Sequence, residues 1–425
     1  MSRVLICGVA PLPFENTRKN YGPGIRTWQF ARSLAEEGHD VRLLAVTLED
    51  AYAAPPVELE TVDRVRIERL APGLFVNHER IRSQVAEFEP HCVIGATIYG
   101  SYALAIARLG VPFWADQFGH VMAEAQAKSA LDGHSDVVPY FWKLVEEVLG
   151  CADRCSVVSE RQKWAAVGEL GAIGRLNFRT IGHDFVAVVP CALLPSNGDA
   201  PALPARRRLH SEETFRVLWS GSYNTWSDVR TLVKGLERAM ERNSRIRFVS
   251  TGGEIPGHDE STYGELVERA GRSRFADRFD LRGWLVADQL PAVVAESDLG
   301  VLTEKPIYEG MLGSKNRIVQ WMSSGLAVAY NDIGDLGELL RRHRLGLTFP
   351  VGDAETLADR LCWAADHPRE VAAMADRASQ FAREHLSFEA TTPELRAWAA
   401  NPTFAPDLGF RPGERKAATA LATAP

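Results

Sequence analysis

Several signatures of common protein classes are missing from this sequence of 425 residues. No apolar run approaches the roughly 20 residues that a membrane-spanning helix needs, and the first residues enter a short apolar strand instead of a signal-peptide core. The chain has 48 Lys and Arg against 55 Asp and Glu, a formal net charge of -7, which favours neither nucleic acid nor an acidic membrane as partner. We therefore expect a cytoplasmic protein with no nucleic-acid partner and no transmembrane segment.

Cysteine is scarce, and its distribution argues against two further classes. The six cysteines are scattered through apolar segments, unlike the dense disulfide framework of a small secreted protein. Cys151 and Cys155 share a helix face if their segment is helical, but no histidine or second cysteine pair lies near them in sequence to complete a zinc site. We interpret all six as reduced side chains of the core.

The common fingerprints of nucleotide binding are missing as well. No G-x-x-x-x-G-K-[ST] motif occurs, which argues against ATP use through a P-loop. The turns beginning at Cys7 and at Gly221 follow the first strand-like run of each half of the chain, and neither reads G-x-G-x-x-G. A ligand pocket is therefore better sought between the two halves.

Strand-like and helix-like segments alternate along both halves, which is typical of doubly wound parallel sheets. We predict an α/β protein with two Rossmann-like domains, at residues 1–195 and 214–385. A stretch rich in Pro, Ala and Gly at 196–213 is predicted to be the linker, and 386–425 a final crossover helix and tail. One long helical region is predicted near 122–149.

Residues 312–328 read L-G-S-K-N-R-I-V-Q-W-M-S-S-G-L-A-V and combine glycine, two cations and a helix start. They follow a strand-like run, and open parallel sheets bind ligands at the carboxyl ends of their strands. Backbone N–H groups near Gly313 and Ser314, together with the side chains of Lys315 and Arg317, suit a diphosphate at a helix N-terminus. The alternative is that both cations are solvated surface charges on an ordinary helix.

At this point the sequence resembles a known family, the retaining GT-B glycosyltransferases around glycosyltransferase family 4. The family pattern N-K-L-x-E-Y-M-A-x-G-x-P-V is similar to N-R-I-V-Q-W-M-S-S-G-L-A-V at 316–328. Four further pieces resemble the family in the same order and extend the likeness over nearly the whole chain. They are Y-G-P-G-I-R before a helix ending in L-A-E-E-G-H-D-V, A-D-R-C-S-V-V-S-E, V-V-P and R-G-W-L-V-A-D-Q-L-P.

The resemblance implies a GT-B fold, in which two Rossmann-like domains face each other across a cleft. The first domain is then expected to bind the acceptor and the second a nucleotide sugar. Transfer is expected to retain the anomeric configuration, with the leaving phosphate helping to deprotonate the acceptor. By position, Lys315 and Arg317 would hold the diphosphate and offset the charge that grows on the leaving group.

Further roles in the second domain follow from the resemblance. Gln320 takes the place of the family's ribose-binding glutamate, and a neutral amide still forms hydrogen bonds with two hydroxyl groups. Glu309 is expected to meet the transferred sugar, although its spacing to Gln320 is longer than the usual E-x7-E. Asn316, beside the two cations, is expected to contact the nucleotide sugar.

The loop after the first strand of the second domain departs from the family pattern. It reads G-S-Y-N-T-W-S-D at 221–228 and lacks the Arg and Lys that the family carries there. Ser222 and Asn224 are expected to supply neutral hydrogen bonds instead, and the alternative is that they only shape a turn. Trp284 and Leu285, in the R-G-W-L-V segment, are expected near the base.

In the first domain, W-A-D-Q-F-G-H at 114–120 follows a buried strand. The resemblance places His120 where the family often has a histidine that contacts the transferred sugar, with Asp116 as the competing candidate. A structural histidine is the alternative. Gly22 and Gly24 would let the backbone come close to the diphosphate or the acceptor, or they form only a turn.

We expect neither a metal ion nor another cofactor, with a UDP- or GDP-linked sugar as co-substrate. D-I-G-D at 332–335 has the wrong spacing for a D-x-D metal clamp, and a cationic phosphate site reduces the need for Mg²⁺. The acceptor is either a small molecule, as in natural product biosynthesis, or a glycan, and its reacting atom is open between O, N and S. The oligomeric state is also open.

Two other functions fit parts of the pattern. A nucleotide-sugar 2-epimerase shares the architecture and would need acid and base carboxylates around the sugar. A degenerate, non-catalytic sugar-nucleotide binding protein would explain the missing loop cations and Gln320. Turnover with an acceptor separates a transferase from both alternatives.

Overall fold

The computed structural model describes residues 1–15, 17, 21–48, 51–52, 56–194, 213–286, 289–313 and 315–407. Most of the predicted linker, the loop residue Ser314 and the chain from 408 onward lie outside the described residues. No helix of the described part is both long and apolar enough to cross a membrane.

The first half of the chain forms an eight-stranded sheet. Its strands are β1 (Arg3–Val9), β2 (Asp40–Val46), β3 (Leu59–Val62), β4 (Val65–Leu70), β5 (Cys92–Gly95), β6 (Phe113–Asp116), β7 (Arg154–Val157) and β8 (Val186–Val188). They lie in the order β3-β4-β2-β1-β5-β6-β7-β8, and only the β3–β4 hairpin is antiparallel. The central strands are continuous apolar runs because helices cover both faces of a parallel sheet.

Helices connect these strands. They are α1 (Gly22–Glu36), α2 (Pro72–Phe75), α3 (His78–Phe88), α4 (Thr97–Ala107), α5 (Val121–Asp132), α6 (Val137–Cys151) and α7 (Glu160–Ala172). The predicted helical region near 122–149 forms as two helices, because α5 ends at Asp132 and Gly133 is its C-cap. This glycine has φ +75°, the left-handed conformation that commonly ends a helix.

The second half forms a six-stranded, fully parallel sheet in the order β11-β10-β9-β12-β13-β14. Its strands are β9 (Phe215–Ser220), β10 (Ile246–Thr251), β11 (Phe279–Leu281), β12 (Leu299–Leu302), β13 (Ala327–Asn331) and β14 (Leu347–Phe349). Two such α/β sheets confirm the predicted fold class. A single large apolar core surrounds the second sheet, and two apolar clusters cover the faces of the first.

The helices of the second half are α8 (Val229–Arg242), α9 (Ser261–Arg272), α10 (Leu290–Ala295), α11 (Tyr308–Leu312), α12 (Asn316–Ser323), α13 (Gly334–Arg342), α14 (Ala354–Asp366) and α15 (Pro368–His385). Two short helices follow, α16 (Phe388–Thr391) and α17 (Pro393–Ala400). These last two pack against α1, and the Trp398 ring lies 5.5 Å from that of Trp114. The chain therefore returns to the first domain after α15.

The two domains touch through the loops and helices that follow their parallel strands. The Ser159 hydroxyl, after β7, donates to the carbonyl oxygen of Leu312, 3.2 Å away at the end of α11. Arg161 pairs with Asp335 of α13 at 2.9 Å. Helix α5 also packs against α11. The carboxyl ends of strands from both sheets therefore border one boundary between the domains.

A buried ion pair anchors α1 to the first sheet. The Arg26 guanidinium donates to both oxygens of Asp116, with Nε at 3.0 Å from Oδ2 and Nη2 at 2.7 Å from Oδ1. Both side chains are fully buried. Arg26 also donates to the Val189 carbonyl oxygen at 2.7 Å, and Ser156 Oγ donates to Asp116 at 2.7 Å. One pair thus links α1, β6, β7 and the end of β8.

Replacing Arg26 tests this anchor. Arg26→Met leaves the Asp116 carboxylate buried without its cation, so we expect the free energy of unfolding to fall by about 3–5 kcal/mol. Arg32→Met is the matched control, because Arg32 lies on the same helix but pairs with a half-exposed Glu36, and such a pair contributes at most about 1 kcal/mol. Urea unfolding followed by circular dichroism measures both variants. Equal losses in the two variants would contradict the anchoring role.

Candidate functional site

The predicted phosphate helix forms where the sequence places it. Helix α12 starts at Asn316, directly after the N-cap position of Lys315, and Gly325 follows its end with φ +69°. Gly313 lies in the connection from α11, beyond the carboxyl end of β12. The predicted ligand edge of the second sheet therefore carries Gly313, Lys315, Asn316 and Arg317 together.

Lys315 does not present a free charge at this edge. Its Nζ lies 2.9 Å from Glu304 Oε1 and 3.3 Å from each carboxylate oxygen of Glu309. The side chain is 5% exposed. Burial alone would lower the pKa of Lys315, but the negative charges of Glu304 and Glu309 raise it. The predicted contact of Lys315 with a diphosphate stays a prediction, and this geometry does not favour it.

Glu309 shares its environment with Lys315. Burial raises the pKa of Glu309 to about 8, the cation of Lys315 opposes this shift, and the carboxylates of Glu304 and Glu124 add to it. This shift favours the protonated form of the Glu309 carboxyl group. In that form the group can donate a hydrogen bond as well as accept one.

Arg317 is the second predicted cation, and it is only partly paired. Its Nη2 donates to the Ser222 carbonyl oxygen at 2.7 Å, and the guanidinium lies 5.0 Å from the centroid of the Trp219 ring. Its Nη1 is buried and has no hydrogen-bond partner among the described residues. Burial lowers the pKa of Arg317 to about 10, so the group stays charged at neutral pH.

The loop after β9 adds further polar atoms beside Arg317. Gly221 has φ +93°, and a β-carbon placed on it would lie 3.5 Å from Arg317 Nη2. Asn224 donates to the hydroxyl of Ser222 at 3.3 Å. Within the described residues, Asn224 Oδ1 and Thr225 Oγ1 are buried without a partner. Buried polar atoms that lack partners are rare, so this loop and Arg317 suit a polar ligand.

The Gln320 amide is already engaged by the chain. Its Nε2 donates to the Ala192 carbonyl oxygen at 3.1 Å, and its Oε1 accepts from the Leu194 N–H at 3.2 Å. Both atoms therefore hold the segment that leaves β8. The predicted contact of Gln320 with ribose stays a prediction, and it requires this segment to release the amide.

Trp284 and Leu285 follow β11, the edge strand of the second sheet. Trp284 Nε1 donates to the Glu254 carbonyl oxygen at 3.0 Å. Leu285 packs, partly buried, against the core of the second domain. Their predicted position near the base stays a prediction.

His120 lies in the first domain and caps α5. Its Nδ1 accepts from the Ala123 N–H at 3.1 Å, which assigns the ring proton to Nε2, 3.3 Å from Glu169 Oε1. Glu169 also accepts from Gln117 at 3.4 Å, and burial raises the pKa of Glu169 to about 7. Burial lowers the pKa of His120. A sugar contact by His120 Nε2 stays a prediction and would compete with Glu169.

Asp116, the competing candidate, is fully occupied by the ion pair with Arg26. The Thr97 N–H donates to its Oδ2 at 3.1 Å, so both carboxylate oxygens accept several hydrogen bonds. With no exposed surface, Asp116 cannot touch a sugar in this conformation. We correct this expectation: the geometry gives Asp116 a structural role.

Gly22 and Gly24, the two glycines of the first domain that were predicted to lie near the ligand, have no room for a side chain, and the obstructing group differs. A β-carbon on Gly24 would lie 1.8 Å from the Pro11 carbonyl oxygen, so this position serves close packing of the backbone. A β-carbon on Gly22 would lie 2.9 Å from Asn316 Nδ2. Gly22 therefore brings the start of α1 against the start of α12, across the domain boundary.

Two carboxylates near Lys315 escaped the sequence analysis. Glu304 follows β12 by two residues, and its position at the end of a parallel strand was a usable signal. Glu124 lies in the first turn of α5, four residues after His120. Burial raises the pKa of Glu124 to about 7, and the charge of Lys315 opposes this shift. From helical periodicity alone, Glu124 is predicted to be an ordinary surface charge.

No group of three or more His, Cys, Asp or Glu side chains in the described ranges is arranged to hold a metal ion. Glu304 and Glu309 instead face the ammonium of Lys315. The expectation of a metal-independent enzyme stays a prediction.

Comparisons with known proteins identify both halves of the chain. Residues 21–181 match the family model of the glycosyl transferase 4-like domain, and residues 214–367 match that of the glycosyl transferases group 1. Together the two models cover well over half of the chain. No curated protein matches the sequence significantly.

Solved structures share the fold at low sequence identity. A sucrose-phosphate synthase from Thermosynechococcus elongatus is 14% identical, with a TM-score of 0.69 over 94% of this chain and 98% of that chain. Anabaena HepE in complex with UDP-glucose is 15% identical, with a TM-score of 0.62 over 94% of this chain and 98% of that chain. An α,α-trehalose-phosphate synthase (UDP-forming) from Burkholderia xenovorans, in complex with glucose-6-phosphate, is 12% identical, with a TM-score of 0.64 over 94% and 100% of the two chains.

At these identities the structural likeness concerns the fold, and the family follows from the two domain models. The predicted likeness to glycosyltransferase family 4 is confirmed by the match of the first domain to a 4-like model. This chain belongs to the GT-B glycosyltransferases.

Proposed function

We propose that this glycosyltransferase moves a sugar from a nucleoside diphosphate sugar, UDP- or GDP-linked, to a small-molecule or glycan acceptor, with retention of configuration. The observation that carries the donor assignment is Arg317. Its guanidinium is charged and its Nη1 is buried without a partner among the described residues, next to the helix N-terminus of α12. An anionic oxygen placed there would complete its hydrogen bonds.

The surroundings of Arg317 support a diphosphate over a single carboxylate. Thr225 lies on the loop after β9, and its buried hydroxyl group lacks a partner in the described part of the chain. Thr251 Oγ1, at the carboxyl end of β10, is in the same state. Hydroxyl groups can donate to phosphate oxygens, and several donors arranged before the reaction stabilise the charge of a leaving diphosphate.

The neighbouring structures support UDP as the first nucleotide to test. Structures of the Anabaena protein contain UDP-glucose or UDP, and the Burkholderia enzyme is described as UDP-forming. The departures at Ser222 and Gln320 leave GDP open for this chain. We also propose that no metal ion takes part, because Arg317 and the N-terminus of α12 already supply positive charge to the phosphates.

The acceptor side is proposed to be the first domain, across the boundary from α11 and α12. His120 and Gly22 border this boundary, Gly22 through its approach to Asn316. A small acceptor, such as an intermediate of natural product biosynthesis, is our first candidate. Comparing the anomeric configuration of donor and product by NMR tests retention, and nucleotide binding with no turnover on any acceptor would favour the non-catalytic alternative.

Replacing Arg317 tests the donor site directly. Arg317→Ala removes the buried guanidinium, so we expect the binding of the preferred nucleotide, UDP or GDP, to weaken by about 1.5–3 kcal/mol. Isothermal titration calorimetry of both nucleotides without added metal gives the dissociation constants. Arg272→Ala is the control for a lost arginine, because Arg272 is exposed on α9. Equal nucleotide affinity of Arg317→Ala and wild type would show that Arg317 does not bind the phosphates.

Metal removal tests the second part of the proposal. With excess EDTA we expect the transfer rate to stay within about twofold of the rate without chelator, because the phosphate charge is met by Arg317 and a helix N-terminus. The rate of nucleotide release with a fixed acceptor measures this. Loss of activity with EDTA and recovery with Mg²⁺ would show that a divalent cation takes part.

A further inference from the structure

Lys315 is a cation enclosed by carboxylates at the edge where the donor is proposed to bind. Glu304 lies at 2.9 Å from its Nζ and Glu309 at 3.3 Å, and all three side chains are at most 5% exposed. The ring of Trp226 covers a further side, with its centroid 5.8 Å from Nζ. A phosphate would have to displace one of the two carboxylates to reach this ammonium.

Glu304 is the fixed member of the pair of carboxylates. The Tyr330 hydroxyl donates to its Oε2 at 2.5 Å, and Lys315 occupies its Oε1. Its backbone is held as well, because Asn331 Oδ1 accepts from the Glu304 N–H at 3.0 Å and Asn331 Nδ2 donates to the Glu304 carbonyl oxygen at 2.9 Å. Both carboxylate oxygens therefore already have a partner, and Glu304 is 1% exposed. It can act only through Lys315.

Glu309 is held differently. Among the described residues, the hydrogen-bond donor to its carboxylate is Lys315. Glu309 lies on α11, the helix that packs against α5 of the first domain. The charged groups that act on it are Lys315, Glu304 and, from α5, Glu124. Of the two carboxylates beside Lys315, Glu309 is the one on an element that meets the other domain.

Building on the proposed function, we propose that Glu304 is a positioning residue. It draws the Lys315 ammonium away from the donor diphosphate and toward Glu309, and the carboxyl group of Glu309 then meets the transferred sugar. In this arrangement Arg317 binds the diphosphate. Lys315 holds Glu309, and Glu309 contacts the sugar.

This arrangement makes sugar binding depend on pH in a defined direction. Below pH 8 or so Glu309 is protonated and can donate to a sugar oxygen, because its pKa is raised to about 8. Above that pH Glu309 loses the proton that it donates to the sugar oxygen. The sugar part of the donor therefore binds more weakly as the pH rises. Glu304→Gln removes a repelling charge, which lowers the pKa of Glu309 and moves the transition to lower pH.

Calorimetry with and without the sugar measures this effect. We would titrate UDP-glucose and UDP between pH 6 and 10, or GDP-mannose and GDP if GDP is the nucleotide that binds. The ratio of the two dissociation constants isolates the sugar. For wild type we expect the ratio to change by about tenfold across the transition near pH 8. For Glu304→Gln we expect the transition at least about one pH unit lower.

Three further variants complete the test. Glu309→Gln should show no transition, because its titrating group is gone. Glu268→Gln is the matched control for a lost glutamate, since Glu268 is exposed on α9, and it should behave as wild type. Lys315→Met removes the cation that favours ionised Glu309, so its transition should move to higher pH, opposite to Glu304→Gln.

The outcomes separate this inference from the proposed function. If wild type binds neither UDP nor GDP, the proposed donor site is wrong. If wild type binds a nucleotide sugar but Glu304→Gln shows the wild-type transition, the positioning role of Glu304 is refuted. Should circular dichroism show that Glu304→Gln does not fold, Lys315→Met decides, and an unmoved transition in that variant refutes the proposal.

Discussion

Parallel strands place their carboxyl ends on one edge of a sheet, and the two such edges of this chain border the same boundary. The polar side chains that could serve a reaction lie there because buried strands end there and the backbone turns into helices. Glu304 follows β12, the Arg317 loop partner Ser222 follows β9, and His120 follows β6. The fold thus gathers chemistry from distant parts of the sequence without any one local motif.

The two cations at the start of α12 are treated differently by their surroundings. Lys315 pairs with Glu304 and Glu309, whereas Arg317 lies against the loop after β9 and keeps a buried nitrogen unpaired within the described residues. A planar guanidinium stacked over Trp219 suits a phosphate with two or three oxygens to share. In the proposed site, this division assigns the leaving diphosphate to Arg317 and the sugar side to Lys315.

The sequence was sufficient to predict the fold. Alternation of apolar strands with helices, and the family resemblance, gave two Rossmann-like units, and the family models agree. The β3–β4 hairpin was missed because its strands carry charged residues, such as Glu60 and Arg66, at alternate positions. The break between α5 and α6 depended on Gly133, whose φ of +75° is a property of the folded backbone.

The contacts that the site residues make could not be predicted from local sequence, because they depend on how the strands and helices pack. Lys315 meets Glu304, eleven residues earlier, only because β12 and α12 border the same edge of the sheet. Gln320 holds Ala192 and Leu194, more than a hundred residues away, so its identity serves the connection between domains as well as any ligand. Asp116 is the last residue of β6, a position typical of catalytic residues, but its carboxylate is paired with the buried Arg26 of α1.

The most direct test of the account is a crystal structure of the enzyme with UDP, or with GDP if that nucleotide binds. The account predicts that Arg317 Nη1 lies within about 3 Å of a phosphate oxygen while Lys315 Nζ stays between Glu304 and Glu309. A complex in which Lys315 leaves the two carboxylates and binds the diphosphate, with Arg317 unchanged, would contradict it.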